Sequence, residues 1–378
     1  MKKIAFVLIL LSLLVGSVEL LCWFGFRKST AALGIVDPAR FKLSAKHLPD
    51  AMRQFDAELG WTGEPDGRKT PVQFGRTVMS CFGDSFTWGD EVRDRETWAS
   101  VLAESLQANV LNFGVNGYGT DQALMRCRAI ALRHPTPVVA LGLVSADMPR
   151  CLSVYRRFYF PRTSFLVTKP RFVLNAAGEL ELQPNPIQRR EDVARLMDAS
   201  YIKELGAMDR WYRPAGAPVY EFPFSRLLFH RDVWKAVARA RAGVVPDEIN
   251  AAPANTDIWR DPEACRLFFT IVDSFEREVL ARGATPLLVL FPTKQEMTDA
   301  AAHGPPLAIR MIEDYCRSRN YEIVDGFISL SGAMREGVPV ASLYRKVHLS
   351  PEGNRLIADA VLQQLRAHHN ALLVDPAG

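Results

Sequence analysis

The sequence has few cysteines, and none of them is arranged for a metal or redox site. Its six cysteines are widely spaced, no Cys-x-x-Cys pair occurs, and no Cys/His cluster has the spacing of a zinc site. We interpret them as small buried apolar residues, although one disulfide stays open if the domain lies outside the cytoplasm. Because no other ligand cluster is evident, we expect neither a metal nor a cofactor.

The chain also lacks any concentration of charge, any internal repeat and any low-complexity tract. Its 46 Lys and Arg residues against 42 Asp and Glu residues give a net charge of +4, and the basic residues are scattered. This pattern gives no electrostatic reason to expect nucleic-acid binding. A length of 378 residues is enough for one large α/β domain with additions, or for two modest domains.

One long apolar run stands at the N-terminus. It comprises Ile4–Val18 and Leu20–Phe26, interrupted by Glu19 and flanked by basic residues. About 23 residues are enough to cross a hydrocarbon core. A cleaved signal peptide would need a small-x-small site, which is missing, and a lipoprotein would need a small residue before Cys22. We therefore favour residues 1–28 as an uncleaved anchor, with membrane as a partner and the catalytic domain extracytoplasmic.

The rest of the chain predicts an arm followed by an α/β domain. Turn-forming residues over 29–75 indicate a juxtamembrane arm or tether. From 76 to 370, short apolar strands alternate with amphipathic helices, which is typical of a parallel sheet covered on both faces. The predicted strands are Thr77–Phe82, Val110–Phe113, Val138–Leu143, Leu287–Phe291 and Tyr321–Val324. Residues 151–258 differ in character, so we interpret them as an insertion over or beside the active site.

Two residues at strand ends are candidates for chemistry. Ser85 follows a buried strand and Gly83, where a tight turn would expose its hydroxyl. His348 precedes a capped final helix at an equivalent place. Each also has a structural interpretation, because serines there often cap helices and most histidines are structural or exposed.

Three motifs resemble the blocks of the SGNH/GDSL hydrolases. They are Phe82–Gly89, Asn112–Thr120 and Val347–Asn354, in the family's order. The resemblance implies a three-layer α/β/α, flavodoxin-like parallel sheet. It also implies Ser85 as nucleophile, His348 as its base, and the N–H groups of Ser85 and Gly117 as the oxyanion hole.

The sequence departs from the family pattern at two supporting positions. Ala146 stands where the third block usually has an asparagine, whose amide is a further oxyanion donor; the Ser145 hydroxyl is the candidate substitute. Arg345 stands where the family's aspartate would orient the histidine. His348 then needs another orienter, either a backbone carbonyl or a carboxylate such as Asp325.

These observations favour a serine esterase acting on an acyl ester, for example an O-acetylated surface carbohydrate or a lipid. An O-acyl transferase and a catalytically degenerate polysaccharide-binding module remain alternatives. We interpret several basic residues as solvated charges on a lid, or alternatively as a site for an anionic glycan. They are Arg150, Arg156, Arg157, Arg162, Lys169 and Arg171.

Overall fold

The computed structural model describes residues 2–30, 33–212, 217–241 and 258–370, and these fall into two compact units. The first unit comprises segments 1–54, 153–168 and 186–253, and the second comprises 55–152, 169–185 and 254–378. This division differs from the predicted segments. The predicted insertion 151–258 is shared between the units, because the hairpin of Arg171–Leu174 and Leu180–Gln183 belongs to the second.

A five-stranded parallel sheet is the centre of the second unit. Its strands are β1 (Thr77–Phe82), β2 (Asn109–Asn112), β3 (Val138–Leu143), β4 (Thr285–Leu290) and β5 (Ile323–Asp325). The order across the sheet is β2-β1-β3-β4-β5, and every neighbouring pair is parallel. All six residues of β3 are buried, as expected for a strand covered on both faces. This order reverses direction between β1 and β3, which is where ligands bind in such sheets.

Helices connect the strands and cover the sheet. Trp98–Leu106 packs against Pro351–His368, and Thr120–Ile130 packs against Pro262–Leu280. The Asp261 carboxylate accepts hydrogen bonds from the first turn of the last-named helix, as its cap position predicts. The remaining helices described in the second unit are Ser85–Trp88, Asp94–Glu96, Asp147–Cys151, Lys294–His303, Leu307–Arg319, Gly326–Arg335 and Val340–Leu343. The predicted three-layer α/β fold with a parallel sheet is confirmed.

The predicted tether is instead largely packed. In the second unit, Phe55–Asp56 and Gly60–Trp61 form a short antiparallel pair, and the Tyr118 hydroxyl donates to the carbonyl of Trp61 at 2.6 Å. In the first unit, the Tyr155 hydroxyl donates to the carbonyl of Phe41 at 3.1 Å. Apolar side chains between the turn-forming residues are buried, among them Ile35, Phe41, Leu43 and Leu59.

The first unit contains the apolar N-terminal helix, Lys2–Arg27. Its length and composition suit a membrane span or a signal sequence. The other helices described in this unit are Pro38–Phe41, Ala45–His47, Leu48–Gln54, Arg156–Phe158, Arg190–Met197, Ala199–Gly206, Phe224–Phe229 and Arg231–Arg241. All six cysteines of the chain are free and buried, in agreement with their interpretation as apolar residues.

Candidate active site

The end of β1 places Ser85 at the start of a short helix. The Asp84 carboxylate accepts a hydrogen bond from the N–H of Phe86 at 2.8 Å and so caps Ser85–Trp88. Gly83 is required there, because a Cβ at this position would lie 2.1 Å from the Thr87 hydroxyl oxygen. The strand, glycine and cap together direct the chain into a sharp turn, and Ser85 keeps 7% of its surface exposed.

His348 meets Ser85 although 263 positions separate them. Its Nε2 lies 2.8 Å from the Ser85 Oγ. The ring is carried by a small hairpin in which Tyr344 bridges Leu349 and the N–H of Arg345 donates to the carbonyl of His348 at 2.8 Å. The structure therefore brings the two predicted residues within hydrogen-bonding distance, in the geometry of a nucleophile and its general base.

The second ring nitrogen of His348 faces a carboxylate that the sequence analysis missed. Nδ1 lies 3.2 Å from Oε1 of Glu91. The other oxygen, Oε2, accepts hydrogen bonds from the N–H groups of Lys346 at 2.8 Å and Val347 at 3.2 Å. Burial alone would raise the pKa of Glu91, but the hydrogen bonds from Val347, His348 and Lys346 outweigh it and hold that pKa below its ordinary value. Glu91 is therefore ionised at neutral pH and oriented by the same hairpin that carries the histidine.

Asp325 is not the partner of the imidazole. Its Oδ1 accepts hydrogen bonds from the N–H groups of Phe327 at 2.8 Å and Ile328 at 3.2 Å, so it caps Gly326–Arg335. A carboxylate at a strand end can orient a catalytic side chain or cap the following helix, and Asp325 caps the helix. At the family's aspartate position, the Arg345 side chain is exposed.

A half-buried arginine holds the turn that carries Glu91. Arg68 donates from Nη1 to the carbonyl of Trp88 at 2.8 Å, and from Nη2 to the carbonyl of Val92 at 2.7 Å. Glu91 itself has a φ of 67°, which a residue with a Cβ adopts only when its surroundings hold it there. No motif in the sequence marks Arg68 or Glu91. The hydrogen bonds from Arg68 to Trp88 and Val92 join two turns that come together only when the chain folds.

The loop after β2 packs closely against the serine helix, Ser85–Trp88. The Asn112 side chain donates to the carbonyl of Thr87 at 2.8 Å and accepts from the N–H of Gly114 at 3.0 Å. A Cβ on Gly114 would lie 2.4 Å from the backbone nitrogen of Trp88, so only glycine permits this approach. The same loop contains Gly117, the predicted oxyanion donor, at a φ of 80°.

A buried ion cluster joins three loops behind the serine. Nη1 of Arg150 donates to Asp84 at 2.9 Å, to Asp147 at 2.7 Å and to the carbonyl of Tyr118 at 2.7 Å. Burial, and then the charge of Asp84, raise the pKa of Asp147 well above its ordinary value. Arg150 thus links the ends of β1, β2 and β3.

Two predictions about polar residues near the third block need correction. Arg150 is only 12% exposed, and Lys169 lies buried in an ion pair with Asp121. These two cations are structural rather than solvated charges on a lid, because each compensates a buried carboxylate. Ser145 also does not replace the missing asparagine amide, since its hydroxyl hydrogen-bonds to the Glu296 carboxylate.

No protein-family model matches the sequence, and no curated protein matches it. Solved structures are similar at low identity. A member of the lipolytic protein G-D-S-L family from Veillonella parvula DSM 2008 is 13% identical, with 76% of this chain and 97% of that chain covered and a TM-score of 0.36. A catalytic mutant of the acetylxylan esterase Axe2 from Geobacillus stearothermophilus is 11% identical, with 78% and 95% covered and a TM-score of 0.39. The psychrotrophic esterase EstA from Pseudoalteromonas sp. is 10% identical, with 78% and 99% covered and a TM-score of 0.36.

Proposed function

We propose that the chain is a carboxylic-ester hydrolase that acts through an acyl-enzyme intermediate on Ser85. One observation carries this proposal: the Ser85 Oγ lies 2.8 Å from Nε2 of His348, while Nδ1 of the same ring lies 3.2 Å from Glu91. A serine hydroxyl, an imidazole and a carboxylate that are hydrogen-bonded in this order form a catalytic triad, the arrangement that activates serine nucleophiles on unrelated folds.

In the first half-reaction, Nε2 of His348 takes the proton of Ser85 as Oγ forms a bond to the ester carbonyl carbon. The negative charge of Glu91 stabilises the resulting imidazolium. The imidazolium then returns the proton to the leaving alcohol oxygen as the ester C–O bond breaks. In the second half, His348 takes a proton from water as the water oxygen attacks the acyl carbon. The imidazolium then returns this proton to the Ser85 Oγ as the bond between Oγ and the acyl carbon breaks, which releases the acid and restores Ser85.

The developing oxyanion needs donors, and we assign the N–H groups of Ser85 and Gly117. Among the residues that the structure describes, the Ser85 N–H has no hydrogen-bond acceptor, so it is available to a substrate oxygen. Ala146 offers no side-chain donor, and loss of one such donor costs about 10²–10³ in rate. We therefore expect slower turnover than a site with an asparagine amide would support.

For the setting of the reaction, we propose a membrane-anchored enzyme with its catalytic domain on the extracytoplasmic side. Acyl esters available there include O-acetylated surface carbohydrates and lipids. The same Ser85 chemistry would transfer the acyl group to a sugar hydroxyl if an acceptor displaced water, so an O-acyl transferase is the alternative outcome.

The test uses the full-length protein in detergent with a fluorescent organophosphonate. We expect labelling of the unsubstituted chain, loss of labelling in Ser85→Ala and retention in Ser105→Ala, which changes an exposed serine on a neighbouring helix. Equal labelling of all three would contradict the assignment of Ser85. Folded protein without any labelling would favour the binding module.

A second measurement separates hydrolase from transferase. Release of acetate from a model acetyl ester without any acceptor supports the hydrolase. Turnover that begins only when a sugar acceptor is added would assign the chain as a transferase.

A further inference from the structure

The last turns of the N-terminal helix are built into the first unit. The Glu19 carboxylate accepts hydrogen bonds from the N–H of Phe224 at 2.5 Å and from the N–H and hydroxyl of Ser225. The Tyr220 hydroxyl donates to the carbonyl of Trp23 at 2.6 Å. The single acidic residue of this apolar helix therefore caps another segment of the same unit, Phe224–Phe229.

Apolar packing strengthens this attachment. Leu227 and Val233 are buried together with Ile35, and Phe26 of the helix packs against the same cluster. The segment 220–234 thus has a fixed position along the N-terminal helix, set by polar contacts at one end and by a small core at the other.

The same segment exposes large aromatic side chains. Phe222 is 73% exposed, Phe229 is 87% exposed and Trp234 is 52% exposed. Phe222 and Phe224 also line a groove of about 420 Å³ along the helix, completed by Gly16, Leu20, Trp23 and Glu19. Exposure of apolar surface to water costs about 25 cal/mol of free energy per Å². The three exposed rings on this short segment would therefore be stabilised by contact with another apolar phase.

The length of the helix determines the depth of this segment in a bilayer. At 1.5 Å per residue, Glu19 lies about 24 Å along the axis from Lys3. With Lys3 at one border of a hydrocarbon core about 30 Å thick, the Glu19 contacts lie about 6 Å inside the other border, and Trp23 lies at that border. Aromatic side chains are enriched at this level.

We propose that residues 222–234 form a second membrane contact, in which Phe222, Phe229 and Trp234 insert at the headgroup–acyl boundary of a phospholipid bilayer. This inference rests on the proposed anchoring by the N-terminal helix. The helix and the segment then enter the same leaflet side by side, with Glu19 shielded from lipid by the N–H groups that it binds.

The test measures depth at single labelled positions. Full-length Phe229→Cys, labelled with an environment-sensitive dye, is reconstituted into phosphatidylcholine vesicles that contain a lipid with a nitroxide near the top of its acyl chain. The matched controls are Glu204→Cys, at an exposed position of another helix of the same unit, and Leu10→Cys, in the apolar helix. The unsubstituted chain measures background labelling of the six buried cysteines, and organophosphonate labelling of Ser85 confirms that each variant is folded.

We expect position 229 to lose most of its emission to the nitroxide and position 204 to lose almost none. If position 10 is quenched while 229 behaves like 204, the second contact is wrong and the anchor stands. If neither 10 nor 229 is quenched, the anchor itself is wrong. Phe222→Cys provides a second probe of the same contact if Phe229→Cys does not fold.

Discussion

Replacement of Glu91 by glutamine tests the role assigned to its carboxylate. A unit charge 3.2 Å from the imidazolium is worth about 5 kcal/mol at an effective dielectric constant of about 20, before allowance for the 22% exposure of the Glu91 side chain. Buried carboxylates in this role are worth about 10⁴ in turnover. We therefore expect Glu91→Gln to lower kcat/KM about 10³-fold, or about 4 kcal/mol.

The assay is hydrolysis of p-nitrophenyl acetate by the full-length protein in detergent, with Ser85→Ala as the baseline. Asp90→Asn is the matched control, because its carboxylate is adjacent in sequence and lies 3.9 Å from Nδ1 of His348. We expect this control to lose less than tenfold, since the longer distance excludes a direct hydrogen bond. If Glu91→Gln keeps its rate within threefold while Ser85→Ala is inactive, the reasoning about Glu91 is refuted.

Two further predictions concern stability. The pKa of Glu91 is lower in the folded chain, so its carboxylate stabilises the fold above the unfolded pKa of about 4.3 and loses this contribution as pH falls through the lower folded value. The melting-temperature difference between the unsubstituted chain and Glu91→Gln should be full at pH 7 and shrink below about pH 4; a constant difference would contradict it. Arg150→Met leaves Asp84 and Asp147 buried without their cation, and should cost about 3–5 kcal/mol in urea unfolding, partly recovered in Arg150→Lys. Equal stability of Arg150→Met would show that the cluster is solvated.

The sheet and the serine–histidine pair could be predicted because their signals are local. β1 and β3 have the predicted bounds, since an apolar run ended by a glycine or a turn marks a buried strand. Ser85 lies in a motif at the end of β1, where sites form in parallel sheets. His348 lies in a motif directly before the final helix, in the hairpin of Tyr344 and Leu349.

Other features could not be predicted because they depend on contacts between distant residues. Glu91 lies in an irregular turn whose φ of 67° no sequence motif announces, and its partners are backbone N–H groups more than 250 positions away. Arg150 and Lys169 look like surface charges in the sequence, because burial of a cation is visible only with the carboxylate that compensates it. Asp325 lies at a strand end, as expected of a residue that orients His348, but its carboxylate instead accepts hydrogen bonds from N–H groups of the following helix.

Glu91 lies six residues after Ser85, in the turn that follows the serine helix, and this position changes which residues of the site are free to vary. In the family pattern, base and orienting acid share one segment near the C-terminus. In this chain the proposed acid, Glu91, instead lies near the proposed nucleophile in the sequence, and the hairpin that carries His348 supplies the imidazole and the N–H groups that bind the Glu91 carboxylate. Under this assignment position 345 has no role toward the ring, which is consistent with an exposed arginine there.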